Sequence, residues 1–212
     1  MIVDVDLRPQ FQGVRHQGQR SACLAFATTA AHERHIAAPE LLCVEYLFYH
    51  SVQRTPGADP GAGASMLAMG DALRDDGQPV EAVWPYLAAQ PAPGAWTVPT
   101  FKNPVLKATA DMSSRDFDAI VATLDSDRPV VLGLVITASF LRCTPSGRLP
   151  PLNPDPARSG HAVLAVGHGR DPSGDQHILI RNSWGASWGS GGHAWLSRPY
   201  VAGQLRDTAI LT

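Results

Sequence analysis

HQGQRSACLAFATTAAHE, residues 16–33, is the stretch on which the fold turns. A loop containing Gly18 gives way to an Ala-rich run, and Cys23 stands at the junction. From Ser21 to about Ile36 the pattern predicts a helix. Leu24, Phe26, Ala27, Ala30 and Ala31 give it an apolar, close-packing surface with no Gly or Pro to interrupt it. Cys23 then falls in the first turn, where unpaired backbone N–H groups and the helix dipole favour negative charge. Free cysteine is also among the residue types most often buried in cores. Whether Cys23 packs or reacts is decided by what lies elsewhere in the chain.

The rest of the composition narrows the setting. At 212 residues the chain can bury a core without disulfides or metals. Charged residues make up 17%, below the roughly 25% of ordinary soluble domains, and 19 glycines and 18 prolines point to long shaped loops. A net charge of −2 gives no electrostatic case for nucleic acid or an anionic membrane as partner. No apolar run approaches the ~20 residues of a membrane helix. The opening MIVDVDLRPQ has no basic flank and no long apolar core, so it is not a secretory signal. Cys23, Cys43 and Cys143 are too few and too scattered for a disulfide framework and fit no zinc motif. The expectation is a reduced, cytoplasmic protein that binds no metal and no cofactor, with a secreted or injected effector as the other possibility.

Along the chain, residues 1–20 read as irregular because of Pro9 and Gly13. Pro39 is expected to open a second helix over about 39–53, carrying Leu42, Tyr46 and Tyr49 on one face. TPGADPGAGAS (55–65) is a loop, and a third helix over about 65–76 ends at Gly77. Five prolines in residues 85–104 mark a crossover between two halves. Ser113 or Ser114 would cap a short helix running to about Leu124. Strands are expected at 130–136, 161–167, 177–182 and 193–197. The stretch 144–160 is a long loop of the kind that tends to be functional or mobile. The chain thus reads as α+β, a helical half followed by an antiparallel β half, in one domain covering 1–212.

Two further segments bear on Cys23. SGHAVLAVGHG places His161 at the start of a strand, after two small residues that leave its ring approachable. ILIRNSWGASWG ends a strand at Asn182, followed by Ser183, Trp184 and Gly185. With Gln17 six residues before the cysteine, these stretches resemble the papain family of cysteine proteases, in the order and spacing of Cys, His and Asn. The likeness runs from VDLRP to the last tryptophans. It implies a two-lobed fold, with a helical lobe at about 15–95, a β-rich lobe at about 100–200, terminal segments that cross between them, and the active-site cleft in between.

Carried over residue by residue, the resemblance makes Cys23 the nucleophile and His161 the base and acid. Asn182 orients the imidazole, Gln17 completes the oxyanion hole with the Cys23 backbone N–H, and Trp184 shields the Asn–His hydrogen bond. The chemistry asks for such a set: sulfur attacks an amide as thiolate, and the proton must be held nearby and returned to the leaving amine. Matching GAGASM (61–66) and VVLGLV (130–135) to the family's substrate pocket puts Gly63 and Ala64 against an extended peptide backbone. Met66, Gly133 and Gly160 then form the pocket for the residue two before the scissile bond. That lining is small and apolar without an acid at its base, so a hydrophobic side chain is expected there. The implied activity is a monomeric endopeptidase acting on peptides or proteins through a thioester. Acyl transfer, side-chain amide chemistry and an inactive binding module remain open alternatives.

The sequence also departs from the family pattern. Arg20 stands where a disulfide cysteine is usual, and its charge is expected to lower the Cys23 pKa; Leu24 replaces an indole. The chain begins at the family's mature-domain boundary without the inhibitory propeptide typical of secreted members, so either that segment has been cut away or activity is restrained in another way, and a dedicated partner or inhibitor is unknown. His16 reads as an exposed loop residue and His168 as surface. His32 and His35 have no i,i+4 partner to hold a metal. Cys43 reads as core, and Cys143 as a surface thiol.

Overall fold

Helix α1, Cys23–His35, is buried over nearly its whole circumference, from Leu24 through Glu33. Four alanines among its thirteen residues let neighbours approach from every side, which suits a helix enclosed between layers. In this computed structural model every residue is described except Pro93 and Pro151. Those two prolines fall in the stretches read as a crossover and a long loop, and that part of both readings lies outside the described residues. Among the described residues no helix is long and apolar enough to cross a membrane.

Two helices flank α1: α2, Val44–Arg54, and α3, Met66–Asp75. Pro39 does not open α2. Ala37 ends the α1 segment with a positive φ of 50°, and Pro39 and Glu40 form a bend before Leu42 bridges Val80. The cap of α2 is Cys43, whose sulfur accepts from the Tyr46 N–H at 3.3 Å. Ser65 caps α3 in the ordinary way, accepting from Ala68 at 3.2 Å.

On the other side of α1 lies an antiparallel sheet. Its strands are β1 (Ile2–Asp6), β2 (Ala110–Met112), β3 (Val130–Thr137), β4 (Ala157–Arg170), β5 (Gln176–Arg181), β6 (His193–Ser197) and β7 (Leu205–Leu211), in the order β2-β7-β3-β4-β5-β6. β4 is the spine. Its first half pairs with β3, its second half with β1 on the same edge, and β5 runs along the other edge. Strand β1 corrects the expectation of an irregular start, because Pro9 and Gly13 come only after Ile2–Asp6 has joined the sheet. The last four residues of the 144–160 stretch are likewise strand, since β4 begins at Ala157.

The short helix α4, Phe117–Asp125, is capped by Asp116 rather than Ser113 or Ser114. Asp116 accepts from the N–H groups of Asp118 and Ala119, while the Ser113 hydroxyl is already bonded to Thr208 of β7. Two further short helices are α5 (Ala138–Leu141) and α6 (Arg198–Gln204). His168 is not a surface residue. It is buried where β1 and α4 cover the end of β4, with Nε2 2.8 Å from Asp125 and Nδ1 3.8 Å from Asp4.

His193 of β6 is 8% exposed, and burial, aided by Arg181, holds its imidazole at about 4 against 6.5 for the free side chain. In this window the unfolded chain takes up the proton first, so stability is full above about pH 6.5 and falls as the pH drops toward 4. Replacing His193 by Gln should remove roughly 1–2 kcal/mol of the stability lost between pH 7 and pH 5, measured by urea unfolding at both. An unchanged difference would show that the folded ring titrates freely.

Candidate active site

Strand β4 brings His161 to the edge of a cleft, directly opposite Leu134 of β3. Asn182 leaves the end of β5, with its N–H bonded to Gly192 O at 2.9 Å. The two side chains meet: His161 Nε2 lies 2.8 Å from Asn182 Oδ1. The same Oδ1 accepts from the Ser183 backbone N–H at 2.8 Å, a group that can only donate. This settles which end of the amide faces the imidazole. Nε2 therefore carries the hydrogen, and Nδ1 keeps its lone pair for a proton from elsewhere.

Aromatic side chains cover this bond. Trp184 lies against the His161 ring at a centroid distance of 4.6 Å and 33° between planes. Phe140 meets both rings edge-on at 5.8 and 5.6 Å, and Trp188 closes the shell against Trp184 and Phe140. Phe140 and Trp188 were not legible as site residues, since nothing in their local sequence distinguishes them from ordinary core aromatics.

Cys23 is the first residue of α1, half-buried, and lines the same cleft as His161. Burial raises its thiol, opposed by the backbone N–H groups of Ala162, Leu24 and Cys23 itself. Burial likewise pushes His161 down to about 4, opposed by Asn182. Each group alone is held neutral. Proton transfer between them creates opposite charges in one pocket, whose mutual attraction offsets the desolvation that each would suffer separately.

Gln17 is 7% exposed and fixed at both ends of its amide. Its Oε1 accepts from Ser183 Oγ at 2.6 Å, and its Nε2 donates to Arg20 O at 2.8 Å, leaving one N–H of that amide nitrogen uncommitted. Ser183 is a positioning residue that sequence reasoning missed; its place between Asn182 and Trp184 was the only signal. His16 is exposed, with its Nδ1 accepting from the Gly18 N–H.

The cleft, of about 660 Å³, is lined by Gln17, Cys23, His161 and Trp184, and by every residue expected to meet the substrate: Gly63, Ala64, Met66, Gly133 and Gly160. Asn182 lies behind it. Gly63 has a φ of +83°, and a Cβ there would sit 2.9 Å from Ser21 O, so only glycine fits this wall. Two expectations fail. The pocket is not free of acid, because β7 delivers Asp207 to it, and a Cβ on Gly133 would lie 3.3 Å from the Asp207 Cβ. The unrecognised strand β7 is the reason. Nor does Arg20 act on Cys23: its guanidinium is turned away into a buried ion pair with Glu45 at 2.6 Å. Among the described residues no group of three or more His, Cys, Asp or Glu is placed to hold a metal.

The family model described as "Papain family cysteine protease" matches residues 3–210. The chain belongs to the papain family of cysteine proteases. Its fold is that of xylellain, a cysteine protease from Xylella fastidiosa, with a TM-score of 0.81 and 27% identity over 98% of this chain and 85% of that one. A Carica candamarcensis cysteine protease solved with E-64 gives a TM-score of 0.73 at 25% identity, covering 98% and 97%. Cathepsin K of Gallus gallus is 27% identical over 87% of this chain and 55% of its own length. The chain thus spans about half of that curated relative.

Because Asn182 Oδ1 can only accept, the tautomer of His161 is a testable property of this protease. In a Cys23→Ala variant, which removes the partner thiol, ¹⁵N NMR should show His161 neutral at pH 5.5 with the proton on Nε2. Removing the Asn182 amide as well should give a mixture of tautomers. A ring already charged at pH 5.5 in Cys23→Ala would contradict the burial that places it near 4.

Proposed function

We propose that this protease is an endopeptidase that cleaves peptide bonds through a thioester on Cys23, with His161 as base and then acid. The observation that carries the reading is the Asn182-fixed imidazole in one cleft with a helix-terminal thiol and a doubly anchored Gln17 amide. Nδ1 of His161 takes the thiol proton, and Sγ attacks the substrate carbonyl. The oxyanion is met by the Cys23 backbone N–H and the uncommitted N–H on Gln17 Nε2. Collapse expels the amine, which leaves with the proton from Nδ1. Water, deprotonated by the same nitrogen, then opens the thioester and restores the thiol. The role of Asn182 is to keep Nδ1 rather than Nε2 available throughout.

Treatment with an epoxysuccinyl inhibitor, read by intact mass, should give one adduct on the wild type and none on Cys23→Ala or His161→Ala. Gln17→Ala should still be labelled while its kcat on a peptide substrate falls about 100- to 1000-fold. Labelling spread over Cys43 and Cys143 would overturn the assignment.

The cleft also bears on which peptides are cut. Asp207 is exposed there and its carboxylate makes no ion pair or hydrogen bond among the described residues, while the neighbouring Arg206 guanidinium is bonded to Gly203 O and Leu205 O. Gly133 and Gly160 leave space around it, and a Cβ on Gly160 would meet nothing within 4 Å. A long side chain ending in a cation fits such a pocket, alongside hydrophobic ones that pack on Met66. Peptide-library profiling should show Lys or Arg accepted two residues before the cleaved bond. Asp207→Ala should lower kcat/KM for those substrates by about fivefold, with hydrophobic ones unchanged. Equal effects on both classes would remove Asp207 from specificity.

A further inference from the structure

Arg20 is the least expected residue beside the cleft, a cation where the family has a cysteine, and its surroundings are built for it. Its side chain is 2% exposed and that of Glu45 is fully buried, with Nη1 2.6 Å from Glu45 Oε2. Nη1 also donates to Leu87 O at 2.8 Å, and Nε donates to Gln90 Oε1 at 2.9 Å. The guanidinium carbon lies 5.0 Å from the Phe48 ring centroid, 5.2 Å from Tyr86 and 5.3 Å from Trp96. Glu45 is held in turn by Trp96 Nε1 at 2.6 Å and the Leu87 N–H at 3.1 Å. An aromatic box of this kind suits a planar, weakly hydrated guanidinium and suits an ammonium less well.

Two arms run from this box to Gln17, one to its side-chain amide and one to its backbone carbonyl. The Arg20 carbonyl accepts the Gln17 Nε2 hydrogen bond at 2.8 Å. Tyr86, a wall of the box, donates its hydroxyl to Gln17 O at 2.7 Å. Between them, Gly18 passes so close to the 87–90 segment that a Cβ would come within 2.7 Å of Ala88 O. Buried ion pairs contribute little net stability, because desolvation cancels most of their attraction, but they constrain geometry tightly.

We propose that Arg20 is a positioning residue for Gln17: its guanidinium, clamped by Glu45 and the aromatic box, fixes the loop that aims the Gln17 amide at the oxyanion, doing by ion pairing what a covalent bridge does at this point in relatives. This rests on the reading of Gln17 as an oxyanion donor. Clamping matters because a donor displaced by about 1 Å loses much of its effect on the transition state while substrate binding is little altered.

The test removes the pair together, Arg20→Met with Glu45→Gln, so that no lone charge is left buried. Arg20→Lys is the conservative control. If the variant keeps the wild-type near-ultraviolet dichroism and epoxide labelling rate, kcat should fall about 10- to 100-fold with KM within a few-fold of wild type. Arg20→Lys should recover part of that loss. In a Gln17→Ala background the same double substitution should cause little further loss, because the residue it positions is gone. An equal loss in both backgrounds, or a parallel loss of labelling, would reduce Arg20 to a structural residue and overturn the proposal. Gln17→Ala with wild-type kcat would instead sink the oxyanion reading on which it stands. If the double variant fails to fold, the cycle of Arg20→Lys with Gln17→Ala gives the same comparison.

Discussion

The hydrogen bond between His161 and Asn182 sets what the other parts of the structure must supply. A neutral amide oxygen can hold the imidazole without taking its proton, but only if it faces the ring the right way and water is kept off. The first need is met by the Ser183 N–H, which bonds the same oxygen. The second is met by Trp184, Phe140 and Trp188. Bringing the pair together requires adjacent strands of fixed register, and β4 with β5 provides them. The thiol comes from the far wall of the cleft, at the start of a helix enclosed against that same sheet.

This division of labour explains how much could be read from the sequence. Residues whose chemistry is local to a short motif were visible: Cys23 at a loop–helix junction, His161 opening a strand, Asn182 closing one. The helices α1 and α3 and the strand β6 were legible from local apolar patterning and from the glycine that closes α3. What escaped was set by distant contacts. Pro39 suggested a helix start, but it lies in a bend, and the bridge of Leu42 to Val80 delays α2 to Val44. Ser113 was a good cap in isolation and is committed to Thr208. His168 looked like a surface residue because β1, which helps to bury it, was itself unrecognised.

The last strand shows the same limit with a functional outcome. LRDTAIL carries two charges and no strong strand signal, yet it lies between β2 and β3 in the sheet. Its pairing with β3 sets Asp207 opposite Gly133, which turns a pocket read as apolar into one with a carboxylate. Local sequence pointed to the residues proposed to react, whereas Asp207 reaches the cleft only through sheet order.

The Arg20–Glu45 pair has one more consequence, for how the molecule meets oxidants and reductants. Cys43 is pushed to about 12 and Cys143 to about 11 by burial, so neither is a thiolate at neutral pH. All three cysteines are free, and no part of the architecture is held by sulfur–sulfur bonding. Oxidation of the cleft thiol would therefore stop its chemistry without breaking any bridge that holds the scaffold. Folding integrity and catalytic competence are uncoupled in redox terms.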